Sequence, residues 1–255
     1  MNDEHIILAL ETSGRSGSVA VMRVEADQLV CHLETLSTDS GSAKTLAPAV
    51  ERLLTSNRIE MKELSAIALV TGPGSFTGLR VGVATAKAMA YALRIPTIEI
   101  DTLDTIALQC PVISPTVYAV LDAYRGQVFC AEYAVFAIDP APQFERLSST
   151  EIVNIEVLLD RVKQRGTDTV QTIDFCGPGC DRIRKYVSDP ENGRSEITLL
   201  GERIHWIIGP ATTPNAESVA KLGWPKLASG DVLDAFRIQP RYYRGSAAEE
   251  VAAKK

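Results

Sequence analysis

The stretch that most constrains this chain is residues 67–94, IALVTGPGSFTGLRVGVATAKAMAYALR. Ile67 to Val70 is a short apolar run and reads as a buried strand. Gly72-Pro73-Gly74-Ser75-Phe76-Thr77-Gly78 reads as a turn, and the alanine-rich run over 77–94 as a helix. Ser75 or Thr77 can cap it, because a side-chain oxygen there accepts from an unpaired N–H of the first turn. Gly82, Ala86 and Ala90 fall on one i, i+4 row of that helix, and Ala84, Ala88 and Ala92 on another. Rows one methyl deep let a neighbouring helix approach closely. Such a face either seats the helix on its own sheet or pairs it with a second protein, and spacing alone leaves both open.

The flanking sequence supplies the rest of an α/β chain. Residues 5–13, HIILALETS, read as a strand ending in a carboxylate, followed by a turn at 14–17 and returning strands at 18–24 and 29–36. Residues 43–57 place Leu46, Val50, Leu53 and Leu54 on one helical face. Pro48 is tolerated only near a first turn, which leaves the start of that helix open. Pro96 ends the 77–94 helix, Thr97 to Ile100 reads as a strand, and Asp101 or Thr102 can cap a helix to Gln109. Residues 116–136 repeat the opening: strand, Asp122, turn, strand. Glu11 and Asp122 thus occupy matching points of two hairpins about 110 residues apart, the pattern of a duplicated unit.

Further on, 137–150 reads as a loop around a short edge strand, 151–164 as a helix and 169–175 as a strand. Cys176-Gly177-Pro178-Gly179 then reads as a turn into a helix over 181–187. Residues 197–200 read as a strand, 202–209 as a helix and 209–214 as a linker. Asn215 can cap a helix to about Leu222, and the final GSAAEEVAAKK has little to bury and is expected to be mobile. The expected division is two α/β half domains, 1–109 and 110–245, with a tail at 246–255.

The net charge is -6 and the pI about 5.2. An acidic chain is a poor sole holder of a polyanion, since affinity for nucleic acid comes largely from Lys and Arg on phosphates. Arg182, Arg184 and Lys185 form one candidate basic patch or a solvated helix face. MNDEHIILALET lacks the basic region and long apolar core of a signal peptide, and no stretch reads as a membrane span, so the cytoplasm is expected. The five cysteines are odd in number and widely spaced. Cys176 and Cys180 read as reduced thiols flanking a turn, not as a zinc half-site. The three histidines, His5, His32 and His205, are scattered, so no metal site is expected. GPGSFTG lacks the lysine of a Walker phosphate loop. A helix start can still hold an anion near Ser75, Thr77 and Arg80, although the glycines also serve a tight strand-to-helix connection.

The run GPGSFTGLRVGVATAKAMA, with the first hairpin, resembles the signature of the TsaB (YeaZ) family, which takes part in making threonylcarbamoyladenosine in tRNA. Pro240-Arg241-Tyr242-Tyr243-Arg244 resembles the Pro-x-Tyr-x-Arg ending of that family. The resemblance weakens after about Gly126. TsaB-like chains often carry a histidine near the start of the 43–57 helix; this chain has Gly41-Ser42-Ala43-Lys44.

The resemblance implies two actin-like (ASKHA, ribonuclease H-like) half domains, within the wider TsaD, glycoprotease-like superfamily (peptidase M22). In actin-like kinases the acidic residue and small turn residues of the hairpin face nucleotide phosphates. That makes Glu11, Ser13, Gly14 and Asp122 candidate nucleotide contacts, against a plain Ser/Gly turn. Pro178 splits the glycines of the matching adenosine turn, which disfavours tight nucleotide binding. The family further implies a non-catalytic scaffold that dimerises when alone and joins TsaD, with the ATPase TsaE. No cofactor is expected to bind tightly; ATP or ADP, if used, sits at a partner interface, and tRNA is reached through the complex. The expected contact residues are Leu46, Val50, Leu53, Leu79, Gly82, Val83, Ala86 and Ala90. The alternatives are a small-molecule kinase or ATPase using Glu11 and Asp122, and an M22-type metallopeptidase, for which the His-x-x-x-His pair of TsaD has no counterpart here.

Overall fold

The computed structural model describes residues 5–14, 16–26, 28–37, 42–111, 114–136, 143–165, 172–189, 204–209 and 212–244. The chain forms two compact units. One runs to Thr105 and resumes at Pro214; the other spans Ile106–Thr213. The return of the chain to the first unit departs from the expected division at 109/110, which treated the C-terminal segment as part of the second half.

The first unit carries β1 (Ile6–Glu11), β2 (Ser18–Glu25), β3 (Gln28–Thr35), β4 (Ala66–Gly72) and β5 (Thr97–Asp101) in one sheet of order β3-β2-β1-β4-β5. β1 and β2 are antiparallel, as are β2 and β3, while β4 and β5 run parallel to β1. Two helices, α1 (Ser42–Ser56) and α2 (Phe76–Leu93), cover one face; Leu8, Leu10, Val19, Val21, Ile67 and Leu69 point into that core. The other face, Ile7, Ala9, Ala20, Met22, Ala68 and Val70, packs against a late helix, Ala216–Ser229. β4 is buried at every residue because both its faces are covered, which is why its sequence shows no polar alternation.

The division at Thr105/Ile106 falls within the sequence of α3 (Thr102–Gln109). The second unit holds β6 (Thr116–Asp122), β7 (Gln127–Phe136), β8 (Gln143–Arg146), β9 (Glu151–Asn154), α4 (Ile155–Arg165), β10 (Ile173–Cys176), α5 (Cys180–Ser188) and β11 (Ile204–Ile207). Its order, β11-β10-β6-β7-β8, reproduces the first sheet: an antiparallel hairpin with an outer antiparallel strand, then two strands parallel to the first. The duplication read from the two hairpins is therefore present at the level of the whole sheet. The late helix, Ala216–Ser229, is α6.

Four local expectations are corrected. The 151–164 helix begins only at Ile155; residues 151–154 form β9, because Ile152 and Val153 pair with Phe129 and Val128 of β7. Residues 204–207 are a strand parallel to β10, not a helix; β-branched and aromatic Ile204, Trp206 and Ile207 suit a pleated surface. α6 continues past Leu222 through Pro225 to Ser229 and ends at Gly230 in the left-handed region. Pro48 lies well inside α1, on its exposed side. The strand expected at 197–200 and the tail from 246 lie outside the described residues.

Candidate functional site

The carboxyl end of β1 and the start of α2 are built against each other. Ser13 donates to Glu11 Oε1 through its N–H (2.6 Å) and its hydroxyl (2.5 Å). The N–H of Ser75, the N-cap of α2, donates to the Ser13 carbonyl (2.7 Å), and Ser75 Oγ accepts from Gly78 N (3.2 Å). The glycines of the signature fit this contact. A Cβ on Gly78 would stand 2.0 Å from the Thr12 carbonyl oxygen, and one on Gly82 would stand 2.3 Å from Thr12 Oγ1. Both distances are below any real Cβ contact, so Gly74 in the turn and Gly78 and Gly82 on α2 are the imprint of Ser13 and Thr12.

Glu11 is fully buried there. Burial pushes its carboxyl up to about 7, with the Ser13 hydroxyl and the backbone of Ser13 and Gly14 pulling the other way. Its Oε2 has no hydrogen-bond partner among the described residues, nor do the buried hydroxyls of Thr12, Thr71 and Thr102. Ser75 N and Gly78 N, two of the donors at the start of α2, are bonded within the chain, and the Glu11 carboxyl is fully buried.

A second layer comes from the end of the described chain. Arg241 N donates to the Thr71 carbonyl (2.7 Å), and a Cβ on Gly72 would stand 2.7 Å from the Arg241 carbonyl oxygen. Arg241 Nη2 pairs with Glu99 Oε2 (2.7 Å) and Tyr243 Oη donates to Asp101 Oδ2 (3.3 Å). Arg80 Nε donates to Tyr242 Oη (2.9 Å), and its guanidinium sits 4.0 Å from the centre of the Phe76 ring, itself 4.6 Å from the Tyr242 ring. Arg80 is thus held between two rings, not turned toward an anion at the helix start. The Pro-x-Tyr-x-Arg segment is a strap across the signature turn. Nothing in the spacing of 240–244 placed it there; the paired tyrosines and arginines were its only trace.

The eight residues expected at a subunit contact are all buried in the first unit. Leu46, Val50, Leu53, Val83, Ala86 and Ala90 fill the core between α1, α2 and the sheet, and Leu79 packs on the opposite apolar cluster. Within the chain the row Gly82, Ala86, Ala90 faces inward, and the outward row of α2 is Ala84, Ala88 and Ala92, with Thr77, Arg80 and Tyr91. On α1 the outward residues include Ala43, Ala47, Pro48 and Glu51.

In the second unit Asp122 ends β6, half-buried, and its Oδ1 accepts from Tyr124 N (2.7 Å). The Cys176–Gly179 turn closes on its own chain: Gly179 N donates to the Val120 carbonyl (3.0 Å). Cys176 and Cys180 are buried free thiols, and burial pushes Cys180 up to about 12, which marks a packing thiol. Arg182, Arg184 and Lys185 lie on the exposed side of α5. One polar cluster escaped the sequence reading. Fully buried Asp174 accepts from Ser114 N (2.9 Å) and Ser114 Oγ (2.7 Å), and its Oδ1 lies 3.1 Å from His205 Nδ1. It ties the start of β6 to β10 and β11. Among the described residues no group of three His, Cys, Asp or Glu side chains is placed to hold a metal, and no helix is long and apolar enough to cross a membrane.

Two sheets of identical order, each a hairpin continued by parallel strands, define the actin-like class, and comparison with known proteins agrees. A solved structure of YeaZ from Pseudomonas aeruginosa superposes with a TM-score of 0.68 at 22% identity, over 93% of this chain and 99% of that one. The family model for TsaD, tRNA N6-adenosine threonylcarbamoyltransferase, matches residues 38–186, more than half of the chain. The chain belongs to that family, and within it to the TsaB/YeaZ group. The tRNA threonylcarbamoyladenosine biosynthesis protein TsaB of Bacillus subtilis is 34% identical over 127 residues, 50% of this chain and 54% of that protein. The chain thus aligns with about half the length of that relative. The protein of the same name from Escherichia coli is 26% identical over 247 residues, 95% of this chain and 96% of that protein.

Proposed function

We propose that this chain is a non-catalytic scaffold subunit in the biosynthesis of threonylcarbamoyladenosine at position 37 of tRNA. It would bind a TsaD-type catalytic subunit, with a TsaE-type ATPase joining the assembly. The observation that carries the reading is the sealed signature turn. The residues that an actin-like kinase would turn toward phosphate are here spent on packing β1 against α2. What remains for function is the outer surface of the same helices. Ala84, Ala88 and Ala92 of α2 offer an exposed row over which a partner helix, or the same helix of a second copy, can pack closely.

Co-purification with the TsaD-type subunit of the same organism tests this. The expected result is a stable complex that Ala88→Glu abolishes while the monomer stays folded. Ala86→Glu, at a fully buried site, should unfold the chain instead. A chain that never joins that subunit, or that binds Mg-ATP tightly and turns it over by itself, sinks the proposal in favour of an actin-like kinase.

A further inference from the structure

We propose that the edge of α2 bordering residues 232–242 is a contact surface for single-stranded RNA. The proposal rests on the tRNA-modification reading and adds a direct contact to it. Along this edge the exposed large apolar side chains are all aromatic: Tyr91 is 65% exposed, Phe236 66% and Tyr242 45%. Tyr91 and Phe236 meet edge to face, centroids 5.1 Å apart. They border an open cleft of about 590 Å³ lined also by Arg94, Ile95, Pro96, Leu233 and Asp234.

The charge of this edge opposes that of the chain. Arg94 and Arg237 are exposed and form no ion pair among the described residues. Lys87 Nζ donates to the Phe236 carbonyl (3.3 Å), which holds a cation beside the aromatic pair, and Arg80 lies further along between Phe76 and Tyr242. Of the carboxylates nearby, Glu99 is paired with a cation, while Asp234 and Asp101 accept from neutral donors and keep their charge. Asp234 Oδ1 accepts from Phe236 N (2.8 Å), Glu99 pairs with Arg241, and Asp101 holds Tyr243. Exposed rings interleaved with unpaired guanidinium groups are what unstacked bases and their phosphates need: any base can stack on a ring, and phosphates draw the cations. An acidic peptide would use the cations but not the rings. α2 is 18 residues long, about 27 Å, enough for a line of contacts and not a single one.

The test uses the full chain with a fluorescein-labelled oligouridylate of about twelve nucleotides and with unfractionated tRNA, read by anisotropy between about 50 and 200 mM salt. Arg94→Glu with Arg237→Glu should weaken binding at least about tenfold and lower the salt slope by about 1.4. Tyr91→Ala with Phe236→Ala should weaken it about fivefold or more with the slope unchanged. All four sites are exposed, and thermal melts should match the parent. The proposal is overturned if the parent chain does not bind at the low-salt limit, or if Arg182→Glu with Arg184→Glu abolishes binding while the edge variants do not. It is also overturned if the edge variants lose only the protein partner, which would make this a protein-docking face. RNA binding that maps to the edge in a chain that fails the co-purification above supports this surface and rejects the scaffold role.

Discussion

The two units share one strand order but treat the turn after their first strand in opposite ways. After β1, Glu11, Thr12 and Ser13 are buried beneath the glycines of α2, and the strap at 240–244 lies over the adjoining loop. After β6, the equivalent hairpin reaches the surface. Asp122 is half-buried, Tyr124 is 73% exposed, and a Cβ on Gly126 would meet nothing within 4 Å. A duplicated sheet evidently does not duplicate its loops. The strand core dictates order and direction, while each turn is free to become a packing element or a surface.

The sharpest way to break the comparison is at glycine. Gly78→Ala should cost about 3 kcal/mol or more, because the new methyl meets a backbone carbonyl that only a shift of the whole hairpin can relieve. Gly126→Ala, with open space but φ of 74°, should cost only about 1 kcal/mol. Urea denaturation of both variants checks the ratio, and equal losses would mean that α2 and β1 are not so tightly fitted.

Acid–base behaviour sharpens the contrast. The folded Glu11 carboxyl, at about 7, lies above its unfolded value of 4.5. Its contribution is therefore fully present below about pH 4.5 and lost as pH rises through about 7. The expected decline is about 3 kcal/mol. Denaturation at intervals from pH 4.5 to 8 should show it in the parent, and Glu11→Gln should flatten it. A smaller effect is expected at the strap, where Tyr242→Ala should lower stability by about 1–2 kcal/mol by freeing Phe76 and Arg80. Smallest of all, Asp122→Asn should change stability by less than about 1 kcal/mol, since an amide oxygen can still accept from Tyr124 N.

Much of the fold was legible because the signals were local. Apolar runs bounded by turns located β1, β2, β4 and β6, and the repeated strand–acid–turn–strand pattern disclosed the second sheet. Residues 151–154 and 204–207 were misread because short apolar runs do not separate strand from helix, and only the neighbouring strand decides. The candidate site was legible in position but not in sense. Small residues at i, i+4 spacing mark close approach, but what approaches is the chain's own Thr12 at Gly82 and its own core at Ala86 and Ala90. Two such rows alternate around α2, and the sequence does not say which faces inward. Asp174, Ser114 and His205 could not be joined, because their contact depends on strand pairing across some ninety residues of chain.

α6 has a consequence for how the molecule is made. One face of the first sheet, including Ile7, Ala9, Met22, Ile98 and Ile100, is covered by residues 216–224. On the ribosome those strands emerge long before their cover does, with the entire second unit translated in between. The nascent first sheet therefore carries a bare apolar side while residues 106–213 are made, and a chain ending near residue 213 would never hide it.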